Sequence, residues 1–163
     1  MITKIEIDRF SLVSKKPFAE VLAAIDAAIA HPNMADLFPS IQRAKSAAEM
    51  EDTLQQAIGP VGLMLFAKFD QGAVVHKGVD GGARGMVRLL IGNPLIMASM
   101  ARHVPDAGSY APVTVLVDER ADGVHISYDT MSSSLAPYGN SDALEIANDL
   151  DGKIERILEQ AAS

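Results

Sequence analysis

The sequence predicts an α+β protein of one domain, organised around a strand–helix–hairpin unit from Val87 to Asp129. Three observations predict it. Val87-Arg88-Leu89-Leu90-Ile91 is an apolar run of strand length. Gly92-Asn93-Pro94 turns it directly into a helix over about Leu95–His103, with Asn93 as N-cap and Pro94 at the position where a missing N–H costs nothing. Val113–Asp118 and Val124–Tyr128 then follow as two β-branched runs joined by Glu119-Arg120-Ala121-Asp122-Gly123, for which an antiparallel hairpin is the simplest connection. A chain of 163 residues, 48% hydrophobic and 21% charged, has the composition of one folded core.

The remaining elements fall into place around that unit. Ile5, Ile7, Phe10 and Leu12 alternate with polar residues, with a slip near Asp8-Arg9, and predict an edge strand with a bulge. Pro17 opens a helix whose stripe is Phe18, Val21, Leu22, Ile25 and Ile29, ended by His31-Pro32. The polar stretch 33–58 predicts a helical insertion whose clear part is Ser46–Ile58, since Ser46 and Glu49 have capping-box spacing and Gly59-Pro60 stops the helix. Leu63–Phe69 predicts a second strand, followed by a flexible turn rich in glycine at Gly78, Gly81, Gly82 and Gly85. Residues 104–112 and the serines at 132–134 predict loops. Ala143, Leu144, Ala147, Leu150, Ile154, Ile157 and Leu158 lie at helical spacing after a cap at Ser141 and predict a long closing helix.

Composition excludes several functions. With no cysteine, thiol chemistry and disulfides are out of reach, and a reducing compartment, the cytoplasm, is the expected location. A net charge of −7 opposes nucleic-acid binding, because affinity for phosphates depends on clustered lysine and arginine. No apolar run approaches the roughly eighteen residues of a membrane span, so no membrane partner is expected. The four histidines, His31, His76, His103 and His125, form no metal-ligand spacing, and no metal or other cofactor is expected. The glycine stretch with Lys77 and Arg84 lacks a Gly-Lys-Ser/Thr ending and leads into a strand, unlike a phosphate loop.

The string Leu90-Ile91-Gly92-Asn93-Pro94, followed by Val113-Thr114-Val115-Leu116-Val117 and the hairpin ending Ile126-Ser127-Tyr128-Asp129, resembles bacterial proteins of domain of unknown function 302, from about Leu63 to the C-terminus. The resemblance implies an antiparallel sheet with helices packed on one face, in a TATA-binding-protein-like outline, and a dimer. It implies no established chemistry. Many members carry histidine after the Asp that ends the second strand. Here Phe69-Asp70-Gln71 stands in its place, so no role passes to it.

On such a sheet, alternation divides each strand between core and open face. Val87, Leu89, Ile91, Val113, Val115, Val117, Val124, Ile126 and Tyr128 form one apolar set. Arg88, Leu90, Thr114, Leu116, Asp118, His125 and Ser127 form the other, to which Met64, Phe66 and Lys68 are expected to belong. That mixed face suits a dimer interface or a ligand pocket. The candidate binding residues are Arg88, the helix start at Asn93, His103, Tyr110, His125 and Tyr128. Free amides at Asn93 would suit a small anion, although most helix caps hold none. The functional expectation is a small homodimeric protein that binds a small molecule or partner. The alternative is a cofactor-independent enzyme acting on a small organic acid, with Arg88 or the Asn93 helix end holding the carboxylate and His125, Tyr128 or Asp129 moving protons.

Overall fold

The alternation in the central strands is what the backbone realises first. A computed structural model describes residue 2, residues 4–78 and residues 84–163 of the chain. Its strands are β1 (Arg9–Ser14), β2 (Met64–Asp70), β3 (Met86–Gly92), β4 (Val113–Arg120) and β5 (Gly123–Asp129). They form one sheet in the order β1-β5-β4-β3-β2, antiparallel throughout. All nine residues of the predicted apolar set are buried.

Among the described residues there are eight α-helices: α1 (Phe18–Ala28), α2 (Met34–Arg43), α3 (Ala47–Ala57), α4 (Gly72–Val75), α5 (Pro94–His103), α6 (Ala107–Tyr110), α7 (Met131–Leu135) and α8 (Ser141–Ala162). Val21 and Ile25 of α1, Met100 of α5 and Ala147, Leu150, Ile154 and Leu158 of α8 join the sheet's apolar set in one core. A smaller cluster of Leu37, Leu54, Ile58 and Met64 lies under α2 and α3, with Phe66 and Leu95 packed against it. Stretch 33–58 therefore buries its own apolar face beside the start of β2.

Several expectations change. β1 begins at Arg9, because its partner β5 ends at Asp129, opposite Arg9. One more backbone bond, from Thr130 N–H to the Asp8 carbonyl at 2.9 Å, ends the pairing. Ile5 and Ile7 precede the strand and are exposed. A bulge in β2 between Leu65 and Ala67 shifts the register by one residue. A one-residue shift reverses every side chain beyond it. Lys68, expected on the open face, therefore lies opposite the core residue Leu89 and donates to Asp26 of α1 at 2.8 Å. Phe69 takes the open face in its place, opposite Arg88.

The first part of the expected helical insertion is α2, which carries Pro39 inside it. Its start is nonetheless well capped, with Ala35 N–H donating to Asn33 Oδ1 at 3.0 Å and Asn33 Nδ2 donating to Asp36 at 2.7 Å. In α3, Glu49 N–H donates to Ser46 Oγ at 3.2 Å, while the Glu49 carboxylate accepts from Lys45 N–H at 2.8 Å. The box thus closes one residue earlier than its usual form. Short helices α4, α6 and α7 replace expected turn and loop, and Asn140, not Ser141, caps α8 through Ala143 N–H at 2.9 Å. Of the glycines expected to form a flexible turn, Gly81 and Gly82 lie outside the described residues. Gly85 is held against Phe18, whose ring would be 2.3 Å from an added Cβ.

The hairpin is tighter than expected. Arg120 pairs with Gly123, leaving Ala121-Asp122 as a two-residue turn. Gly123 has φ 144°, and a Cβ there would stand 2.6 Å from the Ser14 carbonyl oxygen of β1. Both the backbone angle and the contact exclude a side chain. Gly123→Ala is expected to lower unfolding stability by about 1–3 kcal/mol. Gly108→Ala, where an added Cβ meets nothing within 4 Å, should leave it within about 0.5 kcal/mol. Urea denaturation of both variants tests the contrast.

Candidate ligand cavity at the end of the open sheet face

β4 starts and β5 ends side by side, with Val115 opposite Tyr128 and Leu116 opposite Ser127. The chain enters β4 from α6 and leaves β5 into α7, so those two short helices flank one end of the sheet. Between them lies a cavity of about 350 Å³. Its wall includes Tyr110 from α6, Thr114 and Leu116 from β4, Ser127 and Tyr128 from β5, and Met131 and Ser134 from α7.

Arg9 and Asp129 complete the rim. Opposed across β1 and β5, they form a two-point ion pair, Nε to Oδ1 at 2.5 Å and Nη2 to Oδ2 at 2.9 Å. The hydrogen bonds from Arg9 hold the Asp129 carboxyl below the usual carboxylate range. The guanidinium charge is thus already matched within the protein.

Behind the wall stands a buried carboxylate. Asp151 of α8 is 5% exposed and lies on the core stripe between Leu150 and Ile154. One oxygen accepts from the Tyr128 hydroxyl and from Met131 N–H at 2.8 Å, and the other accepts from Ser132 N–H at 2.9 Å. Thr130 caps α7 alongside, its Oγ1 accepting from Ser133 N–H at 3.4 Å and donating to Ser133 Oγ at 2.9 Å. Asp151 therefore satisfies amides at the start of α7 that otherwise have no partner in the helix. Together with the Thr130 cap, these bonds support a helical start for the serine run. Burial, reinforced by the Asp151 charge and hydrogen bond, pushes the Tyr128 hydroxyl far above the ordinary tyrosine range.

A third arrangement lies on the α6 side. The Tyr138 hydroxyl donates to Asp106 Oδ2 at 2.8 Å, and the Tyr110 hydroxyl lies 3.0 Å from that of Tyr138. Both bonds raise the Tyr138 hydroxyl above the ordinary tyrosine range, the one with Tyr110 first.

Of the predicted site residues, Tyr110 and Tyr128 meet at this cavity. Arg88 reaches its edge indirectly, donating to Thr114 Oγ1 at 3.3 Å, and itself lines a broader surface groove of about 730 Å³ with Phe69, Val74 and Val75. Asn93 faces elsewhere. Its Oδ1 accepts from Leu95 N–H at 2.8 Å and Ile96 N–H at 3.4 Å, and its carbonyl accepts from Met97 N–H at 3.0 Å. With proline at the first position, no free amide is left at that end for an anion. His103 lies on the surface with Nδ1 3.8 Å from Asp142, and His125 sits at the hairpin with Nε2 2.8 Å from Asp122. Among the described residues, no group of three or more His, Asp or Glu stands close enough to hold a metal ion.

Sequence reasoning missed Arg9, Asp151, Ser134 and Tyr138 as parts of the wall or its support. Only Asp151 carried a signal, an acidic residue set at a core position of an amphipathic helix.

The raised Tyr128 value has a thermodynamic consequence. An unfolded tyrosine loses its proton near its ordinary value of 10.0, whereas the folded one holds it longer. The stabilisation is therefore whole below about pH 10 and is lost progressively as pH rises toward the folded value. Wild-type stability is expected to fall more steeply than that of Tyr128→Phe between about pH 9.5 and 11, measured by urea denaturation. At neutral pH, Asp151→Ala, which strips partners from two amides and a buried hydroxyl, is expected to destabilise by about 3–5 kcal/mol, more than Tyr128→Phe.

The family and its fold agree with this architecture. A crystal structure of an uncharacterized conserved protein DUF302 from Bacillus stearothermophilus is similar with a TM-score of 0.65 at 13% sequence identity, covering 94% of this chain and 97% of that one. At that identity the likeness concerns the fold. No curated protein matches the chain. A family model described as "Domain of unknown function DUF302" matches residues 40–161, which take in α3, all strands but β1 and the whole cavity wall except Arg9. The chain belongs to the DUF302 family.

Proposed function

We propose that this protein binds a small molecule in the cavity between α6 and α7, at the end of the open sheet face. One observation carries the proposal. Two residues chosen as site candidates for different reasons, Tyr110 on a connector and Tyr128 on a strand, line the same 350 Å³ space. Its lining mixes hydroxyls from Thr114, Ser127 and Ser134 with the apolar surfaces of Leu116 and Met131, the combination common in small-ligand sites.

Binding suits this site better than proton transfer. His103 and His125 lie outside it, the Tyr128 hydroxyl is engaged by Asp151, and Asp129 is held by Arg9. A general base needs a value near working pH, and the Arg9 hydrogen bonds hold the Asp129 carboxyl below the usual carboxylate range. In a fragment screen by ligand-observed NMR, hits are expected to shift resonances of Tyr110, Ser127 and Met131. Ser127→Trp, which fills the space from the exposed side of β5, should weaken those hits about tenfold or more. Hits that map elsewhere, or that ignore Ser127→Trp, would overturn the reading.

We also infer a homodimer formed through the same sheet face, in the cytoplasm suggested by a cysteine-free composition. Leu90 and Leu116 are half-buried at the centre of a face that no helix of the main core covers, and Val13 and Phe69 are exposed at its two edges. A second copy seated there would close the cavity from above. Leu116→Glu is expected to halve the mass seen by light scattering. An unchanged mass removes this face from the assembly.

A further inference from the structure

The hydrogen-bond chain behind Tyr110 fixes what that side chain offers the cavity. An ionised carboxylate only accepts, so the single hydrogen of Tyr138 is committed to Asp106 at 2.8 Å. The Tyr138 oxygen then stands 3.0 Å from the Tyr110 oxygen with no hydrogen to offer. The single hydrogen of Tyr110 must therefore point to Tyr138. What Tyr110 has left for any other partner is lone pairs.

The rim adds acceptors. Arg9 spends two of its five donors on Asp129, and each Asp129 oxygen, having taken one hydrogen bond, keeps a lone pair free. The guanidinium charge is compensated, so nothing in the wall offers an uncompensated cation to an anion. The chain as a whole carries a net charge of −7, which adds a field favouring cations. Val113, Leu116 and Met131 supply apolar wall for the rest of the ligand.

We infer that the cavity selects hydrogen-bond donors, and that its ligand is a small amphiphilic amine whose ammonium meets Tyr110 and Asp129 while its apolar body lies on Val113, Leu116 and Met131. The inference rests on the cavity proposed above as the ligand site and adds the class of ligand. It replaces the anion expected from Asn93 and Arg88, whose donors are used within the fold or lie in the neighbouring groove. Asp106 and Tyr138 are specificity-determining residues that act through Tyr110.

Phenethylamine and hydrocinnamate test this, since they share a phenylethyl body and differ in carrying an ammonium or a carboxylate. Titrated into the full chain by NMR at neutral pH, the amine is expected to bind about tenfold or more tightly, with shifts at Tyr110, Leu116 and Met131. Tyr138→Phe removes the acceptor and lets Tyr110 donate, so the amine-to-acid ratio should fall about three- to tenfold. Asp106→Ala frees the Tyr138 hydrogen and should move the ratio the same way, which guards against a fault peculiar to one variant. If both probes bind at the cavity with equal affinity, or if neither variant changes the ratio, the polarity inference is overturned while the cavity stands. If neither probe shifts a cavity residue but fragments of another class do, the amine inference alone fails. If nothing binds there, both fall.

Discussion

The buried carboxylate of Asp151 is the interaction on which the cavity end of the molecule depends. It lies on the core side of α8 and is paired with no cation among the described residues. It is made tolerable by accepting from a strand hydroxyl and two helix amides. A buried charge left unpaired costs several kcal/mol, so these three donors hold one another in place through it. The end of β5, the start of α7 and the middle of α8 are thereby tied at one point. That tie fixes Tyr128 and Met131 of the cavity's inner wall.

The strand–helix–hairpin unit was legible because each of its signals is local. Alternation in β3, β4 and β5 assigns faces residue by residue, and Asn93-Pro94 starts α5 wherever the rest of the chain lies. Bulges and strand ends are different. The reversal at Leu65/Ala67 depends on how β2 meets β3, and β1 starts at Arg9 because β5 stops at Asp129. Nothing within either segment announces the partner's limit. Within the helical insertion expected over 33–58, the bounds of α2 were not legible, and its Asn33 cap and the burial of Leu37 hold it despite Pro39.

The site was legible only in part for the same reason. Tyr110 and Tyr128 stood out as residues with chemistry on a connector and on a strand. Their supports come from far along the chain: Arg9 opposite Asp129, Asp151 behind Tyr128, and Tyr138 beyond Tyr110. A hydroxyl's direction is a property of the network that holds it. The Tyr110 hydroxyl meets Tyr138, which in turn bonds Asp106, and nothing in the immediate sequence of α6 announces those partners.

The two margins of the sheet are unequal. Beside the start of β2, Ala30 N–H donates to the Leu63 carbonyl at 3.0 Å and Leu65 N–H donates to the Ala30 carbonyl at 2.8 Å, a short parallel bridge that occupies that stretch of backbone. β1 has no such neighbour among the described residues. Its unpaired peptide groups form the natural template for another strand. A strand added to this sheet would therefore meet an open backbone along the whole of β1 and one already occupied at the start of β2.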